Sequence, residues 1–213
     1  MAEKMTALIF GACPCSDWGF LRETCPAPDL VIAADGGVHQ ARAAGYTPDF
    51  LVGDWDSGGA PEEGIPSWSL PAEKDLTDLQ AALELCLERG VRKAVLTACL
   101  GGRLDQTMAN LGLLEWFSDR GGEALALEPG NEARFWDGRE LFLPREERYR
   151  FVSIIPLDDT VTGVTLEGVK YPLKEATIRR GDTLTISNEI TAPQARFRAQ
   201  KGRMLIIRSQ KIR

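Results

Sequence analysis

Three apolar runs in this chain each end in glycine beside charged residues, and that recurrence constrains the fold more than any other feature. Leu30–Ala34 runs into Asp35-Gly36-Gly37, Phe50–Val52 into Gly53-Asp54-Trp55-Asp56-Ser57, and Ala94–Leu100 into Gly101-Gly102-Arg103-Leu104-Asp105-Gln106. Short apolar runs bounded by turn residues read as buried strands. Helical patterns lie between them, so the first part of the chain reads as an α/β, Rossmann-like, mostly parallel sheet. Open α/β sheets keep their chemistry at strand ends, which is where these charged residues fall.

Each strand end offers a different chemistry. Gly36 and Gly37 let a ligand approach the backbone, and the short helical pattern Val38–Ala44 opens with free N–H groups. Asp54 and Asp56 alternate along an extended chain and point to one side, where two carboxylates repel unless a cation sits between them. Next, Glu73–Gln80 opens a helix with apolar positions Leu79, Ala82, Leu83, Cys86 and Leu87. Asp75 and Asp78 stand three apart at its start; Thr77 with Gln80 also matches a capping box. At the third strand end Arg103 and Asp105 are a surplus polar pair, able to serve a ligand or to bridge one another. The helix that follows runs through Phe117 with an expected apolar stripe of Leu104, Met108, Leu111 and Leu114, which makes Met108 a core residue.

Charge narrows the partners. Residues 1–143 carry 11 Lys and Arg against 23 Asp and Glu, a net −12, while 144–213 carry 14 against 8, a net +6. An acidic half suits a polyphosphate delivered with Mg²⁺ rather than a bare one. It lacks the basic face with interleaved aromatics that nucleic acid requires, so no nucleic-acid partner is expected. Nothing resembles a membrane span, and the apolar run Ala7–Phe10 is too short for a signal peptide. Five cysteines cannot all pair, and Cys86 and Cys99 fall in apolar patterns; a cytoplasmic location is expected. The loop after Phe10, with Cys13, Cys15 and Asp17, is assigned no chemistry, and the single histidine, His39, is read as a surface residue without a nucleophile partner.

From about Pro144 the alternation stops. Short β patterns follow at Tyr149–Ile155, Val161–Leu166, Thr183–Ser187, Ala195–Arg198 and Met204–Arg208. The expected organisation is an α/β domain over 1–143 and a small all-β sandwich over 144–213.

These motifs together resemble the thiamin pyrophosphokinase (thiamine diphosphokinase) family. The likeness runs through Ala34-Asp35-Gly36-Gly37, Pro48-Asp49, Gly53-Asp54-Trp55-Asp56-Ser57, Lys74-Asp75-Leu76-Thr77-Asp78 and Gly101–Gln106. It continues with Ser153-Ile154-Ile155-Pro156, Gly168–Leu173 and Ser187-Asn188-Glu189, and so covers nearly the whole chain. The resemblance implies a homodimer with active sites between subunits, Mg²⁺, and transfer of the terminal diphosphate of ATP to the hydroxyl of thiamin with release of AMP. It implies a metal shell of Asp54, Asp56 and Asp78 with Asp35 at its edge. It assigns ATP to Gly36, Gly37, Lys74, Asp75, Thr77, Gly102 and Arg103, with Asp105 orienting Arg103 or the thiamin hydroxyl. Thiamin falls to Gln106, Ser187 and Asn188. Two departures stand out: Gln106 is histidine in many bacterial relatives, and no tryptophan follows residue 143 to stack on thiamin. The rival readings are another Mg²⁺-dependent phosphotransferase or phosphohydrolase, and a thiamin-binding protein without turnover.

Overall fold

The apolar runs do form strands. The structure is a computed structural model that describes residues 5–53, 64–69 and 76–211. The chain divides into two units, Met1–Pro129 and Gly130–Arg213. Asp54, Asp56, Lys74 and Asp75 lie outside the described residues.

The first unit runs β1 (Thr6–Phe10), α1 (Gly19–Thr24), β2 (Leu30–Ala34), α2 (Gly37–Ala43), β3 (Phe50–Gly53), β4 (Ser67–Ser69), α3 (Asp78–Glu88), β5 (Lys93–Thr97), α4 (Leu104–Ser118) and β6 (Glu123–Glu128). Its strands lie in the order β4-β3-β2-β1-β5-β6, and every pairing is parallel. Parallel strands are covered on both faces, which is why Ala7–Phe10 and Ile32–Ala34 are continuous apolar runs with almost no exposure. Aspartates at strand starts set the register. The Asp49 carboxylate accepts from Val31 N–H at 2.8 Å and that of Asp29 from Thr6 N–H at 2.8 Å. Part of the Pro48-Asp49 motif is therefore structural.

The helix α4 departs from its expected stripe. Its buried residues are Asn110, Leu113, Leu114 and Phe117, whereas Leu104 is 75% exposed and Met108 62%. Apolar residues surround this helix on every side, so periodicity alone could not choose the face that packs.

The second unit is all β: β7 (Asn131–Trp136), β8 (Leu141–Pro144), β9 (Phe151–Pro156), β10 (Thr160–Glu167), β11 (Leu173–Arg179), β12 (Gln194–Arg198) and β13 (Met204–Ser209). β13 pairs antiparallel with β7 and with β9. The other layer is ordered β11-β10-β12-β8, again antiparallel. Trp136, Ile154, Val164, Ile178, Phe197 and Ile206, drawn from both layers, form one core, as in a sandwich. Thr183–Ser187 is a turn, not the expected strand. Thr185 is buried and its hydroxyl donates to the Ile154 carbonyl at 2.7 Å, while Leu184 and Ile186 face out. The hydroxyl's bond outweighs the apolar alternation.

Candidate active site

The strand order reverses at β1, which has β2 on one side and β5 on the other. Connections leaving β1 and β5 head in opposite directions, and a crevice opens beyond their carboxyl ends. A cleft of about 540 Å³ lies there, lined by Gly11–Pro14 after β1, Asp35 after β2, Leu76–Leu79 at the start of α3, and Ala98, Cys99, Gly101, Arg103, Gln106 and Asn110. Past the strand ends the two loops stay zipped: Gly11 N–H donates to Thr97 O at 2.8 Å and Cys13 N–H to Ala98 O at 2.9 Å. Gly11 has no room for a side chain, since a Cβ would stand 2.5 Å from the Ala98 carbonyl oxygen.

Asp35, Thr77, Asp78, Arg103 and Gln106 therefore share one cleft. Asp35 has φ +51° and its N–H donates to Val52 O at 2.8 Å, a left-handed kink that ends β2 and turns the carboxylate-bearing residue out of the sheet. Thr77 is the N-cap of α3, its hydroxyl accepting from Gln80 N–H at 3.3 Å. Capping and cleft lining coexist in this block: Thr77 caps, and Asp78, first residue of the helix, lines the cleft.

Arg103 is the N-cap residue of α4. Its Nε donates to Asp105 Oδ1 at 3.1 Å, a second bond joins Nη2 to Oδ2, and Oδ1 also accepts from Gln106 N–H at 2.9 Å. These bonds, first that from Arg103 and then that from the Gln106 amide, hold the Asp105 carboxyl below its usual range, and the same pairing raises Arg103. Asp105 does not line the cleft, so its direct business is to orient Arg103.

The glycines serve packing more than ligand approach. A Cβ on Gly37 would meet the Phe10 carbonyl oxygen at 2.1 Å, so its bare backbone is what lets α2 sit on β1. Neither Gly36 nor Gly37 lines the cleft, and Gly102, at φ +65°, contributes the turn into α4. His39 is exposed, and Cys86 and Cys99 are buried, as expected. Burial pushes the Cys86 thiol up to about 12.

In the second unit Ser187 is exposed, with φ +59°, and its N–H donates to Ser153 Oγ at 2.9 Å. Asn188 is buried. Its Oδ1 accepts from the N–H groups of Tyr171 and Glu189, and its Nδ2 donates to Tyr171 O. Both oxygen lone pairs are spent, so Asn188 shapes the loop that presents Tyr171, itself 58% exposed.

Three contributors escaped the sequence reading. The Gly11–Pro14 loop lines the cleft although its residues carry no motif. Asn110 packs inward with Leu113, Leu114 and Phe117, on a face of α4 that periodicity did not single out. Glu128 ends an apolar run and is only 8% exposed, a lone acid where a core residue belongs.

For a metal, the carboxylates of Asp35 and Asp78 are hard oxygen donors of the kind Mg²⁺ takes, and they face one cleft. Among the described residues no group of three His, Cys, Asp or Glu forms a complete site. The donor chemistry fits Mg²⁺, with Asp54 and Asp56 as the further carboxylates expected from the sequence.

Residues 21–125 match the family described as thiamin pyrophosphokinase, catalytic domain, and residues 140–204 match the thiamin pyrophosphokinase vitamin B1 binding domain. Thiamine pyrophosphokinase of Bacillus subtilis is 32% identical over 186 residues, covering 84% of this chain and 87% of that protein. The crystal structure of thiamine pyrophosphokinase from B. subtilis superposes with a TM-score of 0.88 at 27% identity, covering 97% of this chain and 100% of that one. The one from Geobacillus thermodenitrificans gives 0.85 at 32% identity, covering 97% and 98%. The catalytic-domain match falls on the unit that holds the cleft and the vitamin B1 match on the sandwich, in the same order along the sequence, and the chain belongs to the thiamin pyrophosphokinase family.

Proposed function

We propose that this protein is a thiamin pyrophosphokinase, transferring the terminal diphosphate of ATP to the primary hydroxyl of thiamin to give thiamin diphosphate and AMP. The observation that carries this reading is the convergence of Asp35, Asp78, Arg103 and Gln106 on the cleft at the reversal of strand order. Diphosphate transfer asks little covalent work of side chains; it asks that the hydroxyl lie in line with the β-phosphorus and that charge be neutralised.

Asp78, with Asp54 and Asp56, is proposed to hold Mg²⁺, with Asp35 at the edge of that shell. When bound, Mg²⁺ supplies charge neutralisation on the phosphate oxygens. Arg103 offers a fork of N–H donors to a phosphate oxygen, and Asp105 keeps that fork oriented. The hydroxyl proton needs an acceptor. Gln106 can orient the hydroxyl but its amide cannot take the proton, which leaves the cleft carboxylates, Asp35 first, for that work. Lys74, Asp75 and Thr77 are proposed on the ATP side, and Gly36, Gly37 and Gly102 as the glycines that shape that side. Ser187 and the loop held by Asn188 are proposed to meet thiamin, with Tyr171 offering a ring.

The proposed working form is a homodimer with active sites between subunits. The exposed Leu104 and Met108, next to Arg103 and Gln106 on α4, support an apolar contact at that edge. A cytoplasmic location is proposed on the unpaired cysteines. No helix among the described residues is long and apolar enough to cross a membrane.

Incubating the protein with ATP, Mg²⁺ and thiamin and resolving the products tests the reaction. AMP formed in step with thiamin diphosphate is expected. ADP with thiamin monophosphate would place attack at the γ-phosphorus, and binding of thiamin without either product would replace the enzyme by a carrier.

A further inference from the structure

We infer that Glu128 is a positioning residue for this reaction: its carboxylate, seated on the backbone N–H groups of Cys99 and Leu100, sets the turn that carries Arg103 and Gln106 into the cleft. The inference rests on the diphosphate-transfer reading above.

Glu128 closes β6, and its Oε1 accepts from Cys99 N–H at 2.7 Å and Leu100 N–H at 3.0 Å. Burying a carboxylate is costly unless it is paired or hydrogen-bonded. Among the described residues no Lys or Arg lies within salt-bridge distance of it, so backbone dipoles do the compensating. Successive N–H groups after a left-handed residue form a concavity that holds anions. Ala98, at φ +51°, is that residue. The anion held is the chain's own side chain, so these two amides are spent on the turn and not offered to a phosphate.

The same peptide is gripped from the other side. Asn110 Nδ2 donates to Cys99 O at 2.7 Å, so Cys99 is fixed at both its N–H and its carbonyl. One residue on, Gly101 N–H donates to Thr107 Oγ1 at 3.1 Å, and the Gly101 carbonyl accepts from Cys13 Sγ at 3.4 Å. A left-handed alanine persists only where its surroundings impose it. With Glu128 trimmed to alanine, the buried N–H of Cys99 and the part-buried N–H of Leu100 lose their acceptor and the turn loses its template. Glutamine keeps an acceptor oxygen at the same reach. Arg103 comes three residues after Leu100, and a misplacement of about 1 Å in a positioning group can cost on the order of 100-fold in rate.

The test compares Glu128→Ala with Glu128→Gln in the full chain, measuring kcat, the KM for ATP and for thiamin, the melting temperature, and the rate at which iodoacetamide alkylates Cys13, read by peptide mass spectrometry. For Glu128→Ala the expected result is a fall in kcat/KM of about 30-fold or more, carried mainly by kcat. Its Cys13 is expected to alkylate several times faster, because the Gly101 carbonyl no longer holds the thiol. Glu128→Gln is expected to restore both readouts to near wild type. Equal losses in the two variants, or unchanged kinetics and alkylation in Glu128→Ala, would overturn the inference. Should Glu128→Ala fail to fold, Glu128→Asp, one methylene too short, takes its place: it must fall below Glu128→Gln in kcat, and parity between them would overturn the inference. Wild-type protein that makes no thiamin diphosphate would sink the reaction itself, while Cys13 alkylation would still report on the clamp.

Discussion

The side-chain amide of Asn188 imitates a strand partner for Tyr171, accepting from its N–H at 3.0 Å and donating to its carbonyl at 2.8 Å. Replacing Asn188 by alanine leaves the part-buried N–H and carbonyl of Tyr171 without these partners, and a cost of about 1–3 kcal/mol is expected from the two lost bonds. Thermal unfolding should show that loss, and the KM for thiamin should rise more than the KM for ATP. Asn188→Asp, which keeps the acceptor but not the donor, should fall between. Equal increases in the two KM values would detach this loop from thiamin.

Arg103 and Asp105 are both exposed, so their bond contributes orientation rather than stability. Arg103→Lys removes the fork while keeping the charge, and kcat/KM for ATP is expected to fall by about 10²–10³-fold. Asp105→Asn, which loosens the fork without removing it, is expected to cost about tenfold. Steady-state kinetics on the two variants should give this order; the reverse order would make Asp105 the group that meets substrate.

Asp35 and Asp78 are expected to be essential for turnover and dispensable for the fold. Asp78→Asn keeps a side chain that the first turn of a helix accepts, and Asp35→Asn keeps one of the few residue types that tolerate φ +51°. Both variants should melt near the wild-type temperature while kcat falls by about 10³-fold or more. Raising Mg²⁺ should recover part of the activity of a variant that has lost a metal contact. Near-normal kcat at limiting Mg²⁺ would remove that residue from the proposed shell.

Two buried glutamates should push stability in opposite directions with pH. Burial alone would raise Glu132, but hydrogen bonds from Arg208 and the charges of Arg134 and Arg208 outweigh it and hold the carboxyl below the usual range. Its contribution is therefore fully present at neutral pH and is lost as pH falls through that lowered value. Burial wins at Glu128, raising it against the pull of the Cys99 and Leu100 N–H groups. Its contribution is greatest in acid and declines as pH rises from the ordinary glutamate value to the raised one. At pH 7 Glu132→Gln, which breaks a buried pair with Arg208, should cost about 3–5 kcal/mol. Glu128→Gln should be neutral or more stable there. Denaturant melts of both variants at pH 4 and 7 check the signs.

Gly37→Ala should destabilise the first unit although the substitution adds one methyl to a helix. The new Cβ would overlap the Phe10 carbonyl oxygen, a backbone atom that cannot swing aside. Overpacking of this kind costs about 1–3 kcal/mol, occasionally more. Gly36→Ala, whose Cβ would only touch that of Ala12 at 3.4 Å, is the control and should be nearly silent.

The parts of the fold that were legible are those in which burial is two-sided. The strands β1, β2 and β5 are unbroken apolar runs, and a run of that kind has few other uses. Edge strands were harder. The strand β11 has only Ile178 buried among Lys174, Glu175 and Arg179, the charged dress of an unpaired edge, and it left no apolar alternation to read. At Thr183–Ser187 the alternation was present but false, because Thr185 went inward for a hydrogen bond. In the site, Asp35, Asp78 and Arg103 announced themselves as charges at strand or helix ends. Glu128 and Asn110 did not, since each acts on main-chain atoms whose position no sequence pattern displays.

The strand β13 runs between β7 and β9, yet it is the last of the seven in chain order. On a ribosome the first unit has the six strands of its described residues within the first 128 residues. The second must wait until residue 209 emerges, and at roughly 5–20 residues per second that interval lasts on the order of 4–16 s. From the time each is made until it ends, β7 and β9 lack their shared neighbour, and unpaired strand edges invite other chains. A premature stop before Met204 would leave that vacancy permanent, so such products are expected to be insoluble rather than merely inactive.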